Sequence, residues 1–114
     1  MLQPEKRPKA IPSILPQVYE LLNRYGWTWF CLFEQSYYAR RLGHGFPDII
    51  ALRYDDVEAK EPVGRLLVIV LKGTGHKVTP EQQGWLDLFE AVGAECHVWT
   101  PDDPGLDKMV EVLR

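Results

Sequence analysis

Apolar positions fall at helical spacing from residue 14 to residue 25, and beyond that they change to the pattern of strands. Ile14, Val18, Leu21, Leu22 and Tyr25 recur three or four residues apart, which predicts a helix with one apolar face. Ser13 stands where it could cap that helix, Pro16 falls in the first turn, where proline is tolerated, and Gly26 ends it. Trp27 to Phe33 is rich in aromatic and β-forming residues and predicts the first strand, ending at Glu34. Ile49 to Leu52 and Leu66 to Leu71 are apolar without alternation, the pattern of strands buried on both faces. The charged stretch from Tyr54 to Val63, with Pro62, suits a hairpin-type connection between them. Thr79, Pro80 and Gln82 form a capping box with proline at the first helical position. The helix they open carries Trp85, Leu88, Phe89 and Val92 as its expected buried stripe and stops at Gly93. Cys96 to Trp99 predicts the last strand; Asp103 and Pro104 are expected to start a short terminal helix with Leu106, Met109, Val110 and Leu113 on one side.

The order α-β-β-β-α-β followed by a short helix predicts an α/β fold, a mixed sheet flanked by helices. Residues 1–12, with Pro4, Pro8 and Pro12 among charges, are expected to be a mobile or extended lead-in, and residues 13–114 a single domain. At 114 residues, 46% hydrophobic and 25% charged, the chain can bury a core without disulfides or structural metal. A net charge of −3 lacks the overall basic signature of a nucleic-acid binder, so any such partner would have to meet positive charge gathered locally. Cys31 and Cys96 are not spaced as metal ligands and read as reduced core residues. The N-terminus lacks the apolar stretch of a signal peptide and no later run would span a membrane, so a cytoplasmic protein without a membrane partner is expected. Gly73 to Lys77 is glycine-rich but lacks the order and spacing of a P-loop.

Two pieces carry candidate chemistry: Gly45-Phe46-Pro47-Asp48, and Val68 to Gly73 with Lys72 at the strand's end. If the two apolar strands are adjacent, they bring a carboxylate and an ammonium to one edge of a buried sheet. Period-two alternation puts residues 66, 68, 70 and 72 on one face, so the neighbour of Lys72 is Val70. Pro-Asp is also a common turn opening, and a lysine at a strand end often only meets water. Between Gln35 and His44, Arg40 and Arg41 stand beside Tyr37 and Tyr38, a mixture that could hold phosphates and stack on bases, or form an ordinary polar connection. Glu20 falls off the apolar stripe of its helix and reads as a solvated side chain; His97 reads as a packed strand residue.

The sequence of motifs is a helix, a strand, Gly-Phe-Pro-Asp opening a strand, a strand ending in Lys-Gly, Thr-Pro-Glu-Gln-Gln-x-Trp-Leu opening a helix, and a strand in Gly-Ala-Glu-Cys-His-Val-Trp. It resembles the VRR-NUC branch of the PD-(D/E)xK nucleases from about Gln17 to Asp103. The resemblance implies a restriction-endonuclease-like core and DNA as substrate. Asp48, Lys72 and Gln82 match the family's catalytic motif, whereas Val70 stands where the family has a glutamate, and Ile11, Pro12 and Ser13 stand where it carries an acidic residue. By the same resemblance Mg²⁺ or Mn²⁺ would be held by Asp48 and the backbone carbonyl of Leu71, with Lys72 orienting water or offsetting charge on phosphate. A replacement carboxylate would come from Glu34 or Glu20, and Arg40, Arg41, Tyr37, Tyr38, His44, His76 and Lys77 would face DNA. Stand-alone members are small and act on two-fold junctions as dimers, which implies a homodimer, four-way (Holliday) junctions, and a role in recombination or repair. The resulting expectation is a DNA-binding endonuclease fold whose metal-dependent hydrolysis is impaired at Val70. An active enzyme with a relocated carboxylate and a non-catalytic protein-interaction module are the alternatives.

Overall fold

The structure, a computed structural model, describes residues 14–32, 45–55, 58, 60 and 63–114. Helix α1 spans Leu15–Arg24. Its N-cap is Ile14, with no side-chain cap bond; the expected cap, Ser13, lies outside the described residues. The Ile14 carbonyl takes the Val18 amide at 3.0 Å, and Pro16 in the first turn has no N–H to satisfy. The C-terminus closes as the glycine signal requires. Gly26 adopts φ +77°, its N–H reaches Asn23 O at 3.3 Å, and the Trp27 N–H reaches Leu22 O at 3.0 Å, the paired bonds of a Schellman end.

Strand β1 (Thr28–Cys31) pairs antiparallel with β2 (Ile49–Tyr54), β2 pairs antiparallel with β3 (Gly64–Leu71), and β3 pairs parallel with β4 (Glu95–Trp99). The sheet order is β1-β2-β3-β4. With α1, α2 (Pro80–Ala91) and α3 (Leu106–Leu113), this is the mixed sheet flanked by helices that the pattern predicts, in the element order expected of a restriction-endonuclease-like core. β1 is shorter than the expected Trp27 to Phe33, because Trp27 turns into the core; Phe33 and Glu34 lie outside the described residues. Asp55 N–H to Val63 O at 2.8 Å closes the β2–β3 hairpin. Cys31 and Cys96 sit on the two outer strands with β2 and β3 between them, so no disulfide joins them. Among the described residues no helix is long and apolar enough to cross a membrane.

Alternation along the strands divides the core. Cys31, Ile49, Ala51, Leu67, Ile69, Leu71 and Trp99 pack with Val18 and Leu22 of α1 and Met109 and Leu113 of α3. On the opposite face Val68 and Val70 pack with Leu86 of α2 and with Ala94, while Ile50, Leu66 and Phe89 are partly buried at the margin. β3 is therefore buried on both faces, as its sequence implies. β2 is not: Leu52 is 51% exposed, and among the described helices α2 packs on this face while α1 and α3 pack on the other. The rotation of α2 also differs from expectation. Gln82 and Leu86 are its buried positions, Trp85 and Phe89 are half-buried, and Leu88 and Val92 are exposed. The terminal helix begins at Leu106, with Gly105 as N-cap, rather than at Asp103. The Thr100 hydroxyl accepts the amides of Asp102 at 3.3 Å and Asp103 at 3.0 Å, closing a turn that delays the helix; Leu106 is exposed, while Met109 and Leu113 are buried.

Helix C-terminal carbonyls lack intrahelical partners, and a cationic group placed there is favoured by the helix dipole. At the hairpin end of the sheet Arg53 donates to Tyr25 O at 2.9 Å and Leu113 O at 2.8 Å, and Arg65 donates to Val112 O at 3.1 Å. The Trp27 indole donates to Leu113 O at 2.8 Å, and the Arg53 and Arg65 guanidinium carbons lie 4.3 and 5.1 Å from its ring centre. Arg65 also grips both carboxylate oxygens of Glu95, at 2.7 and 2.6 Å.

That grip holds the Glu95 carboxyl below its ordinary 4.5, and burial holds the His97 imidazole, whose Nε2 has no hydrogen-bond partner among the described residues, below its ordinary 6.5 despite the nearby Glu95 charge. Each group binds its proton less well folded than unfolded, so each adds stability at high pH that is lost as pH falls. The loss sets in below 6.5 for His97 and below 4.5 for Glu95. The urea midpoint is expected to decline in two stages on acidification, and His97→Gln should remove the earlier stage while leaving the later one.

Candidate functional site

Asp48 lies one residue ahead of β2, behind the buried Pro47, and its backbone is held on both sides. Its N–H reaches Ile69 O at 3.2 Å, and its carbonyl accepts the Leu32 amide at 2.8 Å. Strand geometry then determines what its side chain does. The Lys72 amide bonds toward β4, to Trp99 O at 2.9 Å, so the preceding amide, that of Leu71, points toward β2. There β2 has run out, and the Asp48 carboxylate takes the ladder's place: Oδ2 accepts the Leu71 N–H at 2.8 Å.

Lys72 follows the last residue of β3 and is only 5% exposed. It shares a strand face with Val68 and Val70, and Val70, 1% exposed, is packed among Val68, Leu86 and Ala94. Gln82 reaches the same corner through the loop before Asp48. Its Oε1 accepts the Thr79 amide at 2.9 Å and its own amide donates to Thr79 Oγ1 at 3.1 Å, the predicted capping box. Gly45, at φ +85°, lies flat against this first turn; a Cβ there would stand 2.7 Å from Gln82 N and from Glu81 C. Phe46 then sets its edge against Trp85 and Phe89, with ring centres 4.8 and 5.9 Å apart. Asp48, Leu71 and Lys72 thus sit together where β2 begins and β3 ends, and the loop that leads to Asp48 touches the first turn of α2 at Gln82 through Gly45.

The packing of Gly45 escaped the sequence reading; its signal was the glycine at the head of Gly-Phe-Pro-Asp. Gly45→Ala is expected to cost about 2 kcal/mol, because a left-handed φ and a backbone collision act together. Urea denaturation would measure it, and an unchanged midpoint would show that the loop does not hold α2.

The other candidates are placed separately. His76 and Lys77 are exposed in the turn after Lys72, where His76 N–H bonds Gly73 O at 3.1 Å. Thr74 Oγ1 joins this turn to Asp102 at 3.1 Å. Glu20 is exposed on α1 and ion-pairs with Arg24 one turn later. Glu34, Tyr37, Tyr38, Arg40, Arg41 and His44 lie outside the described residues. Among the described residues no three His, Cys, Asp or Glu side chains converge. A hard divalent cation takes six or more oxygens and favours carboxylates. Among the described residues this corner offers such a cation one carboxylate, Asp48, with the Leu71 carbonyl, and position 70 presents an apolar side chain in the core.

A concavity of about 660 Å³ lies at the far end of β2 and β3, bordered by Thr28, Leu52, Tyr54, Gly64 and Leu66, and is separate from the Asp48 corner.

No family model and no curated protein matches the chain. A solved structure described as a VRR_NUC domain protein is similar to it, with 22% identity and a TM-score of 0.46 over 91% of this chain and 86% of that one.

Proposed function

We propose that this chain is a VRR-NUC-like protein that binds DNA and whose capacity for metal-dependent phosphodiester hydrolysis is impaired. The observation that carries the reading is the state of position 70. On the face it shares with Lys72, a buried valine closes the apolar layer beneath α2, and the nearby Asp48 carboxylate is engaged by the Leu71 amide. The motif order, with Asp48 opening β2, Lys72 ending β3 and Gln82 in the first turn of α2, supports a nuclease ancestry; a single carboxylate among the described residues beside Lys72 supports impairment. Branched DNA, and four-way junctions in particular, is the proposed ligand, with a homodimer as the binding form. Recombination and repair are the processes this reading points to.

The test is binding and cleavage of a four-way junction at low and moderate ionic strength with Mg²⁺ or Mn²⁺. Binding whose affinity falls steeply with salt, without strand cleavage, is the expected result. Cleavage abolished by Asp48→Ala would overturn the impairment, and Glu34→Gln and Glu20→Gln would then locate the replacement carboxylate. No salt-dependent binding would overturn the DNA reading in favour of a protein-interaction module.

A further inference from the structure

β4 lies at the end of the sheet order and pairs with β3 on one side only among the described strands. The Lys72 amide bonds Trp99 O, so residues 95, 97 and 99 turn their backbone groups toward β3. The amides and carbonyls of Cys96 and Val98 therefore point away from the sheet, and no described residue bonds them. Natural sheet edges are usually blunted by a lysine, a proline or a bulge. Glu95-Cys96-His97-Val98-Trp99 contains neither residue, and its register with β3 is unbroken.

The two faces beside this edge differ. On the α2 side lie Cys96 and Val98, the latter 36% exposed, and the flank of α2 that carries Asp87 and Glu90, whose charges reach the Cys96 thiol. Asp87 and Glu90 are exposed and one turn apart, and neither ion-pairs with a described residue. Asp87 accepts the neutral Gln83 amide at 2.8 Å. On the other side lie His97 and Trp99, with ring centres 5.5 Å apart, and Glu95, whose charge Arg65 balances.

We propose that β4 takes up an extended, lysine-bearing peptide segment of another protein as an added strand, its lysines toward Asp87 and Glu90 and its apolar residues beside His97. This partner goes beyond the DNA reading and does not depend on it. The outward N–H and C=O groups select an extended backbone, and the contrast between the two faces selects its alternation. The uncompensated carboxylates select a cationic strand. They also work against the two other occupants of such an edge: DNA would bring phosphates to them, and a second copy paired along β4 would bring the same two carboxylates.

Fluorescence anisotropy with a labelled peptide of alternating lysine and valine, read together with amide hydrogen exchange of the full chain, tests the proposal. The expected result is saturable binding that slows exchange at the Cys96 and Val98 amides, with no binding of a peptide of alternating glutamate and valine. Asp87→Asn combined with Glu90→Gln should weaken binding about fivefold, as the loss of two exposed charge contacts does. Val98→Pro removes an outward N–H that the sheet does not use, and should weaken binding about tenfold while the melting temperature stays close to that of the unsubstituted chain. No saturable binding would overturn the proposal. So would binding that the paired amide substitutions leave unchanged, a result that stands even where Val98→Pro does not fold. Displacement of the peptide by a four-way junction would give the edge to DNA, and a doubled chain mass abolished by Val98→Pro would give it to a second copy; either would overturn the peptide.

Discussion

Trp27→Ala is expected to lower stability by about 4 kcal/mol, the upper part of the range for removing a buried aromatic side chain. The ring is 5% exposed within the large core and is covered by the guanidinium groups of Arg53 and Arg65. Its indole N–H also satisfies the Leu113 carbonyl at the end of α3. Truncation would open a cavity, remove both cation–π contacts and leave Arg53 as the described partner of that carbonyl. Trp27→Phe keeps much of the volume but not the donor, and should fall in between. Urea denaturation monitored by circular dichroism measures all three; equal losses in the two variants would mean that packing contributes little and the hydrogen bond most.

Val70→Glu should destabilise the metal-free protein by about 3 kcal/mol, since a carboxylate placed in a closed apolar layer loses its hydration. Val68, Leu86 and Ala94 surround the position and their side chains offer it no donor; Lys72, two residues on along the same face, offsets part of the loss. The variant also adds a second carboxylate to the one that the described residues place beside Lys72, that of Asp48. Mn²⁺ should therefore raise its melting temperature and leave that of the unsubstituted chain unchanged, by about 2.7 kcal/mol of stability at a hundredfold excess over Kd. Asp48→Asn in the variant background should cancel the effect. A melting curve of Val70→Glu that ignores Mn²⁺ would mean that the corner lacks more than one ligand.

Local signals carried much of the fold. The glycine end of α1, the capping box of α2 and the unbroken apolar run of β3 act over a few residues, and each appears where the pattern put it. What the sequence hid depended on partners far along the chain. Ile49 to Leu52 has the composition of a strand covered twice, but how many helices lie over a face is a property of the whole packing, and Leu52 is left exposed. The expected stripe of α2 assumed that its bulkiest residues face inward, whereas the approach of Gly45 and the capping box set its rotation so that Leu86 does. At the site, the proximity of Asp48 to the end of β3 followed from two adjacent strands. The bond from its carboxylate to the Leu71 amide depends on where the β2 ladder ends, which no residue count reveals. The Trp27 bond to Leu113 spans 86 residues and left no periodic trace.

Arg53 has a consequence for how the molecule opens. Through one nitrogen it holds the carbonyl of Tyr25, just beyond α1, and that of Leu113, the last residue of α3, from a strand in the middle of the sheet. Helix ends usually fray independently and exchange their amide hydrogens through small local openings. Here, unravelling the last turn of either helix means giving up a bond anchored in β2. The two ends of the described fold therefore belong to one cooperative unit with the sheet, and their slowest-exchanging amides should respond together to any substitution at that arginine.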